Sequence, residues 1–348
     1  EINDENFDPG VKQWIINNQK TINPNGDNFL TEDELSNALS SFNPNNTNVT
    51  SKLKSLKGLE YFTNLTTVDL SKVTNGVPTL TNVDAVLNLP NLTTLNISNT
   101  GVTGELDVSN LQALSGITGF GTKITGITFG EKNTNVSSVR MGGLTSLSSL
   151  SGLEYLTNQS GVTLKLQNTS VRSLNIPSGT NGSHAKFTEI DCSNNGALEN
   201  IVIGENVTVG ILNLTDAAAL TSISFPTAPM NMTTLNLTGT TALTNLENLK
   251  SQLNTLTSLT LDGTKLESSS SIPELNFSNN SSLTTLSLTN FPNTTVTLPT
   301  NGGNIRSLTL NNVKTDSLDL SAMNNLETLS LLNLSGTDLT LPSSNTGI

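Results

Sequence analysis

The sequence predicts a β-rich leucine-rich-repeat solenoid, right-handed and curved, with a small α-helical cap at its N-terminus. Three observations predict it. A motif of the form apolar-x-x-Leu-x-Leu-x-x-Thr recurs along most of the chain; it is clearest at residues 232–240 and returns at 92–100 and 256–264. Shorter copies stand at 283–288, 305–310 and 326–331. This is the strand signature of a leucine-rich repeat. A second alternating segment follows many of the copies about eleven residues later. The first 45 residues lack the motif and carry helix signals instead.

The cap comes first. Phe7, Val11, Trp14 and Ile15 recur at helical spacing with Pro9 near the start, which predicts a helix over 9–18. A polar loop follows over 23–34. Thr31 and Glu34 stand as a capping box, so a second helix is expected over 32–40, with Leu35, Leu39 and Phe42 facing the first. Residues 1–45 thus form a helix–loop–helix cap, the Asn-rich stretch 46–52 a linker, and 53–348 the solenoid.

Strand motifs start near 65, 92, 136, 161, 187, 209, 232, 256, 283, 305 and 326. Outside the 92–136 interval their spacing runs from 21 to 27 residues, inside the range for this repeat. The second segments, at 171–177, 198–204, 220–226 and 315–321, are short, β-rich and mostly ended by Pro or Gly. They predict a parallel β-sheet on the concave side and extended structure on much of the other. At 85–92, 147–156 and 243–253 Leu recurs every three or four residues, which suits a 3₁₀ or short α turn. Residues 101–135 are crowded with Gly, and the coil over 114–122 lacks its second Leu, so an irregular coil or a tighter turn is expected there. Thr100, Thr240 and Thr264 close their motifs where the repeat usually has Asn, which predicts a turn bonded by a Thr ladder. The final stretch, 339–348, stops within a repeat with no capping helix after it. Either the last half-coil caps itself or the chain continues.

Residues 51–348, with two segments per repeat, resemble bacterial cell-surface leucine-rich-repeat proteins of the internalin-like class. The first 45 residues look like the helical cap that precedes such repeats, and its loop is similar to the calcium loop of EF-hands and dockerins. That resemblance would place Asn23, Asn25, Asp27, Phe29, Thr31 and Glu34 at the ligand positions. Asn23 stands where Asp is expected and Asn28 where Gly is expected, which leaves Asp27 and Glu34 as the direct carboxylates. The resemblance implies at most weak calcium binding; the alternative is a metal-free loop held by its own hydrogen bonds. No other cofactor is expected.

The bulk properties narrow the function. Charged residues make up 13 % of the 348, and the formal net charge is −12. Nothing here neutralises phosphates, so nucleic acid is not an expected partner. No apolar run approaches 18 residues, so no transmembrane segment is expected. The chain begins at Glu1 with no signal peptide in view. The single cysteine, Cys192, sits at an inward strand place and reads as a small buried hydrophobe. The single histidine, His184, lies among Gly, Ser and Asn as a loop residue. No Ser-His-Asp or Cys-His arrangement can be argued, and no phosphate loop precedes a helix, so no enzyme is expected. The Asn-x-Ser/Thr triplets follow from the repeat rather than from glycosylation.

What is left is the row of side chains that alternate outward from the strands. It comprises Thr67, Asp69 and Ser71; Thr94, Asn96 and Ser98; Ser138 and Arg140; Glu189 and Asp191; Thr234 and Asn236; Ser258, Thr260 and Asp262; Thr285 and Ser287; Ser307 and Thr309. From this row Thr67, Asp69, Asn96, Arg140, Glu189, Asp191, Asn236, Thr260, Asp262, Ser287 and Thr309 are the candidate partner-binding residues. The other reading is that they are merely soluble and β-compatible, since binding hot spots favour Trp, Tyr and Arg. The expected function is recognition of a protein partner, of a host or a cell surface, by a secreted or surface-displayed monomer. The alternatives are a glycan-binding module and a scaffolding spacer of a larger protein.

Overall fold

A computed structural model describes residues 1–73, 80–179, 182–268, 274–300, 304–335 and 338–343. The chain is a parallel β-solenoid of leucine-rich-repeat type with a few short helices at its N-terminus. It divides into two compact units, Glu1–Thr169 and Ser170–Ile348.

In the first unit the cap helix Pro9–Asn17 begins as the sequence predicts, with Asp8 as N-cap and Pro9 in the first turn. Asp8 Oδ1 accepts from the Gly10 N–H at 2.8 Å. Its other oxygen accepts from the N–H groups of Lys54 and Ser55 at 3.1 and 2.9 Å. One buried carboxylate therefore caps the helix and ties it to the first repeat. Trp14 packs edge-on against Phe42 and Phe62, with ring centroids 5.0 and 5.5 Å away.

Two expectations for the cap are corrected. The second helix runs only over Glu32–Ser36 and buries no residue. Ser41–Phe42 is a strand instead, paired in parallel with Thr67–Asp69, and that pairing takes Phe42 away from any helix. Phe42 still meets the first helix, through Trp14, whereas Leu35 and Leu39 are only half-buried. Residues 46–52 hold a short helix, Thr47–Thr50, with Val49 and Thr50 buried.

From Ser41–Phe42 the sheet of this unit continues through Thr67–Asp69, Thr94–Asn96, Gly116–Thr118, Ser138–Arg140 and Val162–Lys165, every pair parallel. The opposite side carries Thr103–Asp107, Lys123–Thr128 and Ser149–Ser151, also parallel. Residues 101–135 thus carry strands on both sides; the expected irregularity is confined to a register shift between Gly104 and Glu105, while the 114–122 coil itself pairs in register. The missing second Leu is Gly119, and a Cβ there would stand 2.7 Å from the Met141 sulfur. The flexible thioether of the next coil fills the gap. Short 3₁₀ turns at Asp84–Val86 and Leu153–Tyr155 fall where Leu spacing called for them.

In the second unit the sheet runs Lys186–Asp191, Thr208–Asn213, Thr234–Asn236, Ser258–Asp262, Thr285–Thr297, Ser307–Lys314 and Thr328–Leu332. Across from it lie Ser173–Ile176, Asn200–Ile203, Ser222–Ser224 and Asn245–Glu247, the expected second strands, with Asn245–Glu247 followed by the short helix Leu249–Gln252. Leu318–Asp319 pairs with Leu339–Thr340. Leu332, Leu339 and Leu341 are about half exposed. The reading of the chain end falls partly on residues 344–348, outside the described residues.

The core is a stack of inward leucines and their equivalents: Val68, Leu95, Ile117, Val139 and Leu164 in the first unit, Ile190, Leu212, Leu235, Leu259, Leu286 and Leu308 in the second, all fully buried. Each contributes about 1.5–3 kcal/mol by leaving water. The turn after the strand has a fixed chemistry. Four residues past the central inward residue the backbone is left-handed at Asn99, Gly121, Gly143, Asn168, Asn194, Asp216, Gly239, Asn290, Asn312 and Asn333. Asn, Asp and Gly are the residues that tolerate this conformation, which accounts for the Asn and Gly of the motif. The threonine that follows bonds back within its own coil. Thr100, Thr122, Thr169 and Thr240 each donate to the carbonyl three residues earlier, at 2.6–2.9 Å. The expected coil-to-coil Thr ladder is therefore corrected to a local closure, and Thr264 bonds to Asp262 instead. Side-chain bonds between coils come from buried amides, Asn133 Nδ2 donating to the Val108 and Leu111 carbonyls and Asn280 Nδ2 to those of Leu253 and Leu256, and from hydroxyls just before the strands, as Thr93 donates to the Thr66 carbonyl and Thr257 to that of Thr233.

Candidate functional site: the outward strand face

Parallel register sets the outward side chains in rows. In the first unit one row reads Asp69, Asn96, Thr118, Arg140, Lys165. In the second unit the corresponding row reads Asp191, Asn213, Asn236, Thr260, Ser287, Thr309, Ser330, and the row two residues earlier begins Glu189, Ile211, Thr234. Neighbours in a row stand about 4.8 Å apart. The structure thus aligns the predicted residues of each unit on one face of its sheet. Thr67, Glu189, Thr260, Ser287 and Thr309 are partly exposed there, and Arg140 is exposed.

The acids and amides in these rows are already engaged. Asp69 and Asn96 accept from the backbone N–H two residues on, Ser71 and Ser98, at 2.9 and 3.1 Å. Asp191, Asn236 and Asp262 do the same with Ser193, Thr238 and Thr264. These are Asx turns that end the strand and start the coil's turn. Some also bond across coils: Asn213 donates to Asp191, Asn290 to Asp262, and Asn312 to Asn290, at 3.0–3.2 Å. One oxygen of each of these five predicted residues is therefore structural. Ser98, expected outward, is buried, and its hydroxyl has no hydrogen-bond partner.

Three exposed apolar residues escaped the sequence reading, one of them Leu332 in the row of Asp262. Phe120 is 40 % exposed and Ile211 37 % exposed, both on the outward face. The alternation Ile117 in, Thr118 out, Gly119 in, Phe120 out was available, but the surrounding glycines obscured it.

In the cap loop the predicted ligand groups bond one another. Asn23 Nδ2 donates to the Asp27 carbonyl, and Asn23 Oδ1 accepts from the Gly26 N–H. The Asp27 carboxylate accepts from the Phe29 N–H at 2.8 Å and from the Asn25 amide at 3.1 Å. Glu34 accepts from both the N–H and hydroxyl of Thr31, closing the predicted capping box. Among the described residues no three His, Cys, Asp or Glu side chains cluster as metal ligands would. A cation here would compete with bonds already made.

Cys192 is fully buried, and burial, with Asp191 adding a smaller effect, pushes its thiol up to about 12. Such a thiol is neutral and shielded at neutral pH, the opposite of a catalytic nucleophile. His184 is half-buried, and its Nδ1 has no hydrogen-bond partner. Among the described residues no helix is long and apolar enough to cross a membrane.

The repeat geometry, with one inward ladder and one outward polar face per coil, is a fold of leucine-rich-repeat type. Its neighbours among solved structures are internalins and other leucine-rich-repeat proteins. An internalin from Listeria monocytogenes aligns with 18 % identity and a TM-score of 0.37, over 99 % of this chain and 95 % of its own. The functional domain of InlJ from the same species, described as including a cysteine ladder, aligns with 19 % identity and a TM-score of 0.32, over 84 % and 66 %. A leucine-rich-repeat protein from Bacteroides ovatus aligns with 14 % identity and a TM-score of 0.18, over 86 % and 88 %. No protein-family model matches the chain, and no curated protein matches it.

Proposed function

We propose that this chain is a non-enzymatic recognition module that binds a protein partner through the outward face of its parallel sheets. The observation that carries this reading is the in-register array of partly exposed side chains on hydrogen-bonded parallel strands, which lets a partner be met without ordering a loop. Thr67, Arg140, Glu189, Thr260, Ser287 and Thr309 are the contact residues in this reading. Asp69, Asp191 and Asp262 shape the face and carry a second carboxylate oxygen, and Asn96 and Asn236 shape it and carry an amide NH2. The setting is a secreted or surface-displayed protein acting as a monomer in adhesion or host contact.

The test is a binding screen against arrayed extracellular proteins. It uses the whole chain, a face variant (Arg140→Glu with Thr260→Lys) and a back variant (Arg172→Glu with Lys250→Glu). Arg172 and Lys250 lie away from the outward rows, in exposed ion pairs with Glu199 and Glu274. Hits lost by the face variant and kept by the back variant are expected. Hits lost only by the back variant, or none at all, would overturn the reading.

A further inference from the structure

Within the first unit the outward face changes character at one place. Arg140 and Lys165 face each other in register on adjacent strands, two cations side by side on a chain whose net charge is −12. The Arg140 guanidinium is exposed, donates from Nε to Ser138 Oγ at 3.2 Å, and makes no ion pair among the described residues. The rest of its fork is open to a ligand.

Beside this pair stands Phe120. It occupies the outward place two residues beyond Thr118, itself the register partner of Arg140. The backbone under it is held: Gly119 N–H donates to the Arg140 carbonyl at 3.0 Å, Asn99 N–H to the Phe120 carbonyl at 2.6 Å, and Met141 N–H to the Lys165 carbonyl at 2.9 Å. An exposed aromatic on a fixed backbone loses little entropy when it is covered. On the next strand the equivalent place is Gly142, where the Gln167 side chain takes the room that a Cβ would fill. Gln167 Oε1 and Ser98 Oγ, in the same row as Phe120, are buried without hydrogen-bond partners. An exposed ring and an open guanidinium thus stand on one small area. Elsewhere in its unit the face is Thr, Ser, Asn and Asp.

We infer that this area is the anchor point of the recognition face. It takes an acidic protein segment in which an apolar or aromatic side chain stands next to an Asp or Glu. The apolar group covers Phe120, and the neighbouring carboxylate takes the Arg140 fork, a pairing that suits planar two-point bonding. This inference rests on the reading of the outward face as a protein-binding surface and names the chemistry it selects.

A displayed random-peptide library panned against the whole chain tests it, with synthetic copies of the winners measured by fluorescence anisotropy. Enriched peptides are expected to carry Asp or Glu beside an aromatic or aliphatic residue, and their affinity is expected to fall as salt rises. Arg140→Glu and Phe120→Ser should each weaken them by roughly tenfold or more. Both sites are exposed, so unchanged circular dichroism and melting temperature confirm that the variants fold. Peptides without an acidic bias, or peptides that bind both variants as they bind the wild type, would overturn the anchor. If those same peptides are lost with Thr260→Lys, face recognition stands while the anchor falls. If no peptide is enriched, or only back-face changes weaken the winners, both fall.

Discussion

The Asp8 carboxylate accepts from both the N–H and the hydroxyl of Ser55, at 2.9 and 3.2 Å, across 47 residues of sequence. The same side chain caps the first helix through Gly10. Cap and first repeat are thereby joined by one buried anion whose oxygens are both satisfied. Asp8→Ala is expected to cost about 2–3 kcal/mol, the sum of a lost N-cap and a set of unmet backbone donors. Urea unfolding measures this. A cost under about 0.5 kcal/mol, the size of an ordinary surface change, would mean the junction does not depend on Asp8.

Asn168 is exposed and left-handed, at φ 56°. Its identity reports backbone conformation rather than packing. Asn168→Gly is expected to be close to neutral, and Asn168→Val to cost about 1–2 kcal/mol, because a β-branched residue resists this region. Thermal melts of the pair give the comparison, and equal melting temperatures would contradict the assignment.

Cys192 is expected to ignore a thiol reagent at neutral pH in the folded protein and to react fully in denaturant, given a thiol pushed up to about 12 by burial. Stoichiometric labelling of the native chain within minutes would show that the strand opens.

The Thr227 backbone N–H holds the carboxyl of Glu205 below its usual range. A lowered folded value means that the contribution is present above the unfolded carboxylate range and fades as pH falls through the folded one. Wild type is therefore expected to exceed Glu205→Gln in stability at neutral pH, with the gap closing below about pH 4. A gap that widens on acidification would reverse the sign and refute the assignment.

In the cap loop Asp27 and Glu34 already accept bonds from Phe29, Asn25 and Thr31. Melting curves with and without millimolar calcium are expected to coincide. A rise in melting temperature that Glu34→Gln abolishes would establish the calcium reading instead.

The solenoid was legible because its period is physical. Leu-x-Leu alternation marks inward and outward residues, and the Asn or Gly after it marks a left-handed turn. The coil at 114–122 was misread because its compensation is not local: Gly119 is filled by Met141, one coil away. The helix expected over 32–40 ended early because Phe42 entered the sheet, a tertiary choice that helical spacing does not show. The candidate face was only half legible. Its polar residues were placed on the right side, but the oxygens of Asp69, Asn96, Asp191, Asn236 and Asp262 turned out to be bonded to the backbone two residues on. The signal was present as Asp or Asn, any residue, then Ser or Thr. The same triplet in Asn236-Leu-Thr238 looks like a glycosylation sequon and here forms the turn. Phe120 shows the reverse: a side chain that breaks the polar pattern is the one that interrupts a face otherwise built to be wetted.

The threonine closure has a bearing on how such a chain changes over generations. Thr100 is bonded to Ile97, and Thr122 to Gly119, each inside its own coil. Coils here are joined at an equivalent hydroxyl junction once per repeat, 22 residues apart between Ser115 and Ser137 and 24 apart between Thr233 and Thr257. An in-frame duplication or deletion of one such length would rejoin the chain at a turn that already closes itself. Recombination could therefore lengthen, shorten or shuffle the row of outward residues without inventing a new junction, and selection would act on the face while inheriting the scaffold intact.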